Sequence, residues 1–357
     1  MPDHPVVQAA NAFRADLLRQ ERQAAGRMVR QYGEIYARLQ AQIRALDTEI
    51  AGMDNPTPGR VARLARYRAL QAQIEAEVGR FGAWADTEIT SLARRAAAEG
   101  VDHAEQLTLL NVPEPLRPAV RAVWNRLPAE ALEQLMGFLQ PGSPLRDALV
   151  NQLGEAVAER TMKALLEGLA MGYNPRVVAE TLRREMGMGL VEALRTARTS
   201  MLWAYRTATR SMYQANSDLI TGWIWHADLG PRTCMACIAQ HGSFHPVSEV
   251  LNDHHNGRCA MIPVTKTWRE LGFDGIPDTN PKIPTGREWF AGLTPDEQRK
   301  MFPSEVLYSA WRDGKIGWDD LIGSHKDPVY GDMLQLPSAK ALLGDLYREY
   351  RGWKKAA

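Results

Sequence analysis

All three cysteines of this 357-residue chain, Cys234, Cys237 and Cys259, lie in one stretch, Asp228 to Val264: DLGPRTCMACIAQHGSFHPVSEVLNDHHNGRCAMIPV. The same stretch carries four of the eight histidines, His241, His245, His254 and His255. Cys234 and Cys237 form a C-x-x-C pair, which lets two thiolates grip one ion from a tight turn. His254 and Cys259 return about twenty residues later with a second pair of donors. Three sulfurs and one imidazole suit tetrahedral zinc, and a site of this kind contributes folding energy directly. The expected cofactor is therefore structural Zn²⁺ on Cys234, Cys237, His254 and Cys259. His255, His241 and His245 are all near enough in sequence to compete with His254 for the fourth position.

Three plainer readings compete. A redox C-x-x-C usually sits where a strand enters a helix of a βαβ unit, but here the flanks are Gly230-Pro231 and a polar loop. A disulfide would leave one thiol over. The N-terminus, MPDHPVVQAANAFRADLL, lacks a basic segment followed by an apolar core, so the expected compartment is reducing. Cysteines can also be small buried residues, although here all three cluster beside His254.

The rest of the chain frames this stretch with helices. Residues 5 to about 52 read as one long helix, with apolar residues at Val29, Tyr32, Tyr36, Leu39, Ile43, Leu46 and Ile50 in alternating steps of three and four. AGMDNPTPG (51–59) is a turn, because Asn-Pro and Pro-Gly cannot continue a helix. A second helix follows from about Arg60 to Gly100, with Val61, Leu64, Tyr67, Leu70, Ile74, Val78, Phe81 and Trp84 on one face. A short connection predicts an antiparallel, coiled-coil-like hairpin.

Beyond a proline-punctuated linker near 111–118, helices are predicted over 128–139, from Ser143-Pro144 to Gly172, from Pro175, and from Leu190 to Asn216. The last carries an arginine stripe that includes Arg195, Arg198, Arg206 and Arg210. GWIWHAD (222–228) and CAMIPV (259–264) read as two strands with the metal loop between them. Past Val264 periodicity weakens. Thr294-Pro295 opens a short helix, 303–323 reads as a helix-turn-helix-like piece, HKDPVYGDMLQLP as irregular, and SAKALLGDLYREYRGWKK as a closing amphipathic helix.

The predicted fold is thus mainly α with a small α+β zinc-stapled module. Its expected divisions are a helical hairpin at 1–110, a helical domain at 111–218, a zinc-binding β-hairpin module at 219–268 and an irregular and helical C-terminal segment at 269–357. Net charge is +1, with 45% apolar and 24% charged residues. Those totals describe a globular chain with no overall electrostatic preference for nucleic acid or an anionic membrane. No apolar run approaches the roughly 18 residues of a membrane span.

Three blocks of sequence carry a family resemblance: ALRTARTSMLWAYRTATRSMYQAN, WIWHADLGPRTCMACIAQHG and HHNGRC followed by an apolar strand. Together they resemble the head morphogenesis (minor head, Mu-F-like) proteins of tailed phages. The matching positions are Ala197, Arg198 and Thr199, then Asp228, Arg232, Thr233, Cys234, Cys237 and Gly242, then His254, Gly257, Arg258 and Cys259. The resemblance covers about residues 150 to 325 and includes the TGREWFAGLTPDEQRKMF segment. Ser200 stands where the family often has Glu, and Gly257 where many members have a further Cys, which gives His254 more weight as a ligand.

The resemblance implies a minor capsid protein of a phage or prophage, located at the portal vertex or in the head interior of the virion, and in host cytoplasm during assembly. The implied partners are the portal protein, the major capsid or scaffold protein, and packaged DNA. The implied roles are head assembly, DNA packaging or genome delivery.

Two other functions are weighed against it. A zinc-knuckled HNH-type nuclease would use Asp253-His254-His255 beside the C-x-x-C pair. Its expected further histidine some twenty residues on is absent, the next being His325. A zinc-stabilised DNA-contact module would use Arg232, Arg258, Lys266 and Arg269 on phosphates, whereas a structural role has Arg232 and Arg258 bracing the loop through backbone carbonyls. No Walker loop, G-x-S-x-G, H-E-x-x-H or G-x-G-x-x-G motif is present, so a non-enzymatic protein with no catalytic residues is expected.

Overall fold

The polypeptide is described by a computed structural model over residues 4–54, 57–135, 137, 143, 155–170 and 175–352. In chain order its α-helices are α1 (Pro5–Ala51), α2 (Pro58–Val61), α3 (Ala65–Leu110), α4 (Arg117–Ala122), α5 (Ala129–Leu135), α6 (Glu155–Ala170), α7 (Pro175–Ala215), α8 (Met235–Gln240), α9 (Gly286–Ala291), α10 (Pro295–Met301), α11 (Glu305–Arg312), α12 (Ala339–Leu343) and α13 (Tyr347–Gly352). The strands are β1 (Ile220–His226), β2 (Phe244–Pro246), β3 (Ala260–Thr265), β4 (Gly323–Asp327) and β5 (Gly331–Gln335). The protein is mainly helical with a small antiparallel sheet, as its periodicity predicts. Among the described residues no helix is long and apolar enough to cross a membrane.

Two compact units are built from discontinuous pieces of the chain. One comprises Leu18–Ala96 and Gln134–Met201, and the other Met1–Leu17, Ala97–Glu133 and Leu202–Ala357.

In the first unit, α1 and α3 run antiparallel, and their ion pairs keep step toward the turn. Arg27 meets Glu88, Arg38 grips Glu77 through both carboxylate oxygens at 2.9 and 3.0 Å, and Arg66 meets Glu49 at 2.9 Å. Between them Ile35, Leu39, Leu46 and Ile50 are buried against the stripe of Tyr67, Leu70, Ile74, Val78 and Phe81. The heptad reading places Val29 in this seam, yet Val29 is 49% exposed and Met28 is fully buried in its place. Either residue is one helical step from Tyr32, so spacing alone does not separate them. In the same unit Arg198 of α7 donates at 2.8 Å to the buried Glu21 of α1.

The two helices expected over 175–187 and 190–216 form one continuous α7. Gly187 and Gly189 lie inside it, since glycine costs a helix only about 1 kcal/mol. The start of the helix expected from Pro144, and Gly172 as its stop, lie outside the described residues.

The second unit carries the sheet, ordered β2-β1-β3 with both pairings antiparallel. β1 faces β3 with Ile224 opposite Ile262 and Trp225 opposite Met261, so the two strands expected to flank the metal loop are indeed partners. β2 is a further strand, with His245 opposite Trp223. Trp223 and Trp225 are wholly buried. Asn111, at the end of α3, donates to the Pro263 carbonyl at 2.7 Å and so ties the long helix to β3.

The chain after Val264 is more ordered than its weak periodicity suggests. Thr285 and Thr294 each make a complete capping box, with Glu288 and Glu297, at the starts of α9 and α10. Met235 and Ile238 of α8 share an apolar core with Phe290, Phe302, Tyr308 and Trp318. Three expectations are corrected here. The stretch read as irregular is a β-hairpin, β4–β5. The second arm of the 303–323 piece is only a 3₁₀ turn at Asp319–Leu321. The closing amphipathic helix is broken into α12 and α13 at Gly344, whose φ of +53° no helix accommodates.

Candidate metal centre

The C-x-x-C pair enters the site through a helix start. Cys234 is the N-cap of α8, and its sulfur accepts the Cys237 backbone N–H at 3.3 Å. This places Cys237 one turn on, facing the same side. The sheet around it is antiparallel, unlike the βαβ context of redox pairs. β1 delivers the chain to this turn, and the return strand β3 begins directly after Cys259.

Two overlapping sets of donor atoms converge. Cys234, Cys237 and His254 form one, and Cys237, Asp253 and Cys259 the other, with the atoms of each set within 4.8 Å of one another. Cys237 belongs to both. Cys237 and Cys259 are buried, while Cys234 and His254 are half-buried. His254 Nδ1 donates to the His255 carbonyl at 2.7 Å. A carbonyl can only accept, so Nδ1 carries the proton and Nε2 is left as the donor atom for an ion.

The other histidines are engaged elsewhere. His241 Nδ1 accepts the Ala227 N–H at 3.0 Å. His245 stacks on Trp223 with ring centroids 4.4 Å apart and bonds Ser243 and Glu249. His255 turns away to Asp327, at 3.0 Å.

Electrostatics separate the four donors. The Cys234 thiol is held down to about 5, chiefly by its hydrogen bond with Cys237 and, against the cost of burial, by His254. Burial works against a charged His254, but its hydrogen bond to Cys234 and the charge of Asp253 prevail and hold it up to about 9. Cys237 is pushed well up by its hydrogen bonds to Cys234 and Cys259 and by burial, and Cys259 is raised by burial. The cluster therefore favours a thiolate at Cys234 beside a protonated His254, while Cys237 and Cys259 hold their protons. An ion that takes all four donors displaces these protons.

Asp253 and Arg206 complete the centre, and the Cys/His spacing gives no notice of either. Asp253 is fully buried at its side chain. Its Oδ1 accepts the His254 backbone N–H at 2.9 Å and the Cys237 thiol at 3.3 Å, and its Oδ2 accepts the Cys259 backbone N–H at 3.1 Å and Arg206 Nη2 at 2.9 Å. The Arg206 guanidinium, itself buried, also donates to the carbonyls of Cys259 at 2.7 Å and Gly257 at 3.1 Å. Burial alone would raise the Asp253 carboxyl, but Arg206 and His254 hold it below its usual range.

Gly257 permits this arrangement. A Cβ there would stand 2.0 Å from Asp253 Cγ. The preceding Asn256 adopts a left-handed φ of 63°, which asparagine tolerates. Arg206 binds loop carbonyls as well, a bracing that sequence reasoning gave to Arg232 and Arg258 alone. The arginine stripe was the signal for it, but which arginine faces the loop depends on the angle of α7.

Residues 159–262 match the family model described as Phage Mu protein F like protein. The match spans the arginine-bearing helix, β1, all three cysteines and His254, so this part of the chain is similar to that family. No curated protein and no solved structure matches the chain.

Proposed function

We propose that this protein is a structural minor head protein of a tailed phage or prophage. In this reading it binds the portal vertex or inner capsid of the virion and acts in head assembly, packaging or genome delivery. The observation that carries it is that the family match runs through the whole cysteine-histidine centre rather than stopping beside it. A phage head family suggests capsid-related partners and virion association. The portal protein is the specific partner proposed, with the major capsid or scaffold protein and packaged DNA as further contacts.

Zn²⁺ is the proposed structural ion, held by Cys234, Cys237, His254 and Cys259. The donor set fits it: soft thiolates, one imidazole with its proton fixed on the far nitrogen, and a buried carboxylate that orders the loop without being needed as a ligand. Four protein donors leave no open position, so the ion supplies cross-linking and no chemistry. The chain's own part is to pin β1 and β3 to the end of α7 through Asp253 and Arg206.

The test is co-purification of the tagged protein with its cognate portal protein. Retention of the portal supports the reading. Failure to associate, from either partner's tag and in assembling cells, overturns the portal-vertex role. Metal analysis of the purified protein addresses the ion separately, and bound zinc lost on Cys237→Ser is the expected result.

A further inference from the structure

The loop that carries His254 carries a second histidine, and this one meets donors from a different part of the chain. His255, His325 and Asp327 each offer a donor atom, all within 4.8 Å of one another. His325 and Asp327 are two apart on β4, so they project from the same face of the strand. His255 reaches them from the 254–259 turn. The backbone holds these elements together, since Leu334 N–H on β5 donates to the Asn252 carbonyl at 2.6 Å.

Two features suit this cluster to an ion. Asp327 is oriented in advance: its Oδ1 accepts the backbone N–H groups of Val329 at 2.8 Å and Tyr330 at 2.9 Å, which leaves Oδ2 directed at His255. The second feature is His325 Nδ1, which is shielded from solvent and has no hydrogen-bond partner among the described residues. A buried polar atom without a partner is costly and calls for an explanation such as an ion.

We propose that His255, His325 and Asp327 form a second, thiolate-free site for a divalent first-row transition metal ion, separate from the cysteine centre. Two imidazoles and one carboxylate favour borderline ions such as Zn²⁺, Fe²⁺ or Co²⁺ over hard Ca²⁺. On binding, the ion replaces the proton now shared between His255 Nε2 and Asp327 Oδ2. Its structural effect is to clamp the β4–β5 hairpin onto the loop that holds His254. The inference does not depend on the identity of the ion at the cysteines.

Cobalt tests it, because Co²⁺ on thiolates gives a sulfur-to-metal charge-transfer band and Co²⁺ on His and Asp does not. Full-length protein stripped with a chelator is titrated with Co²⁺, and total uptake is compared with the thiolate band. The expected result is uptake that continues after the band saturates, and that loses this later portion in His325→Ala and Asp327→Asn with the band unchanged. Asn keeps the Oδ1 acceptor for Val329 and Tyr330, so the hairpin turn survives, and circular dichroism checks the fold. Uptake that ends with the band, or a later portion that both variants retain, overturns the proposal. An absent band with uptake still lost in His325→Ala would leave this site standing and sink the four-donor reading of the cysteines.

Discussion

Arg206 and Asp253, 47 positions apart in sequence, form an ion pair of 2.9 Å whose side chains are 8% and 0% exposed. Between them the two residues hydrogen-bond the backbone of the turn that bears His254 and Cys259. Asp253 fixes the backbone at His254 and Cys259, and Arg206 fixes the carbonyls of Gly257 and Cys259. The pair is therefore the joint between α7 and the metal loop.

Arg206→Ala should leave a buried carboxylate without its partner. Removing one member of such a pair costs on the order of 3–5 kcal/mol. Chemical denaturation should show that loss, and Asp253→Asn in the Arg206→Ala background should recover part of it by removing the stranded charge. A loss below about 1 kcal/mol would mean that solvent reaches Asp253.

Gly257→Ala should be destabilising although alanine is the smallest change available. The new methyl would stand 2.0 Å from Asp253 Cγ, and that carboxylate is held on both oxygens and cannot step aside. Overpacking of this sort costs about 1–3 kcal/mol. Thermal melting of the full chain reads it, and an unchanged midpoint would contradict the tight approach.

Cys237→Ser should unfold the sheet module and block head assembly while leaving the hairpin of α1 and α3 helical. Cys237 is common to both donor sets, so no other single substitution removes as much of the centre. Far-ultraviolet circular dichroism should keep most of its helical signal, while proteolysis should open the 219–268 region. Retained zinc together with normal infectious particles would refute the staple.

Acid should weaken the sheet-bearing unit through histidines outside the cysteine centre. Burial depresses His103 to about 4, His226 to about 3 and His241 to about 4. An unfolded histidine titrates near 6.5. Between these values the unfolded chain binds protons that the folded chain refuses. The stability is therefore fully present above about pH 6.5 and lost as pH falls toward about 4. His103, stacked on Phe13 with centroids 3.7 Å apart, gives a clean comparison. Melting temperature should fall less between pH 7 and pH 5 in His103→Gln than in the natural protein. Equal slopes would show that His103 does not carry the effect.

Much of this protein was legible in the order of its residues. Helical periodicity set α1 and the body of α3, because an apolar stripe at steps of three and four has only one regular way to be buried, although the helix expected from Arg60 to Gly100 is interrupted between α2 and α3 and runs on to Leu110. C-x-x-C and H-x₄-C spacing marked the donor cluster, because ligand geometry is local to two tight turns. The pairing of β1 with β3 followed from aromatic and apolar strands on either side of that loop.

Other features were set by long-range contacts. Val29 and Met28 are both apolar and one residue apart, and only the packing of α3 against α1 selects Met28 for the seam. The β4–β5 hairpin carries polar residues on partly exposed strands, so no alternation announced it. Asp253 is read from sequence only as a neighbour of His254 until Arg206 arrives from α7, and only the fold sends His254 to the cysteines and His255 to His325 and Asp327. Sequence names the groups able to bind an ion. Which groups meet is decided by tertiary structure, because burial and charge pairing act between residues that are neighbours only after folding.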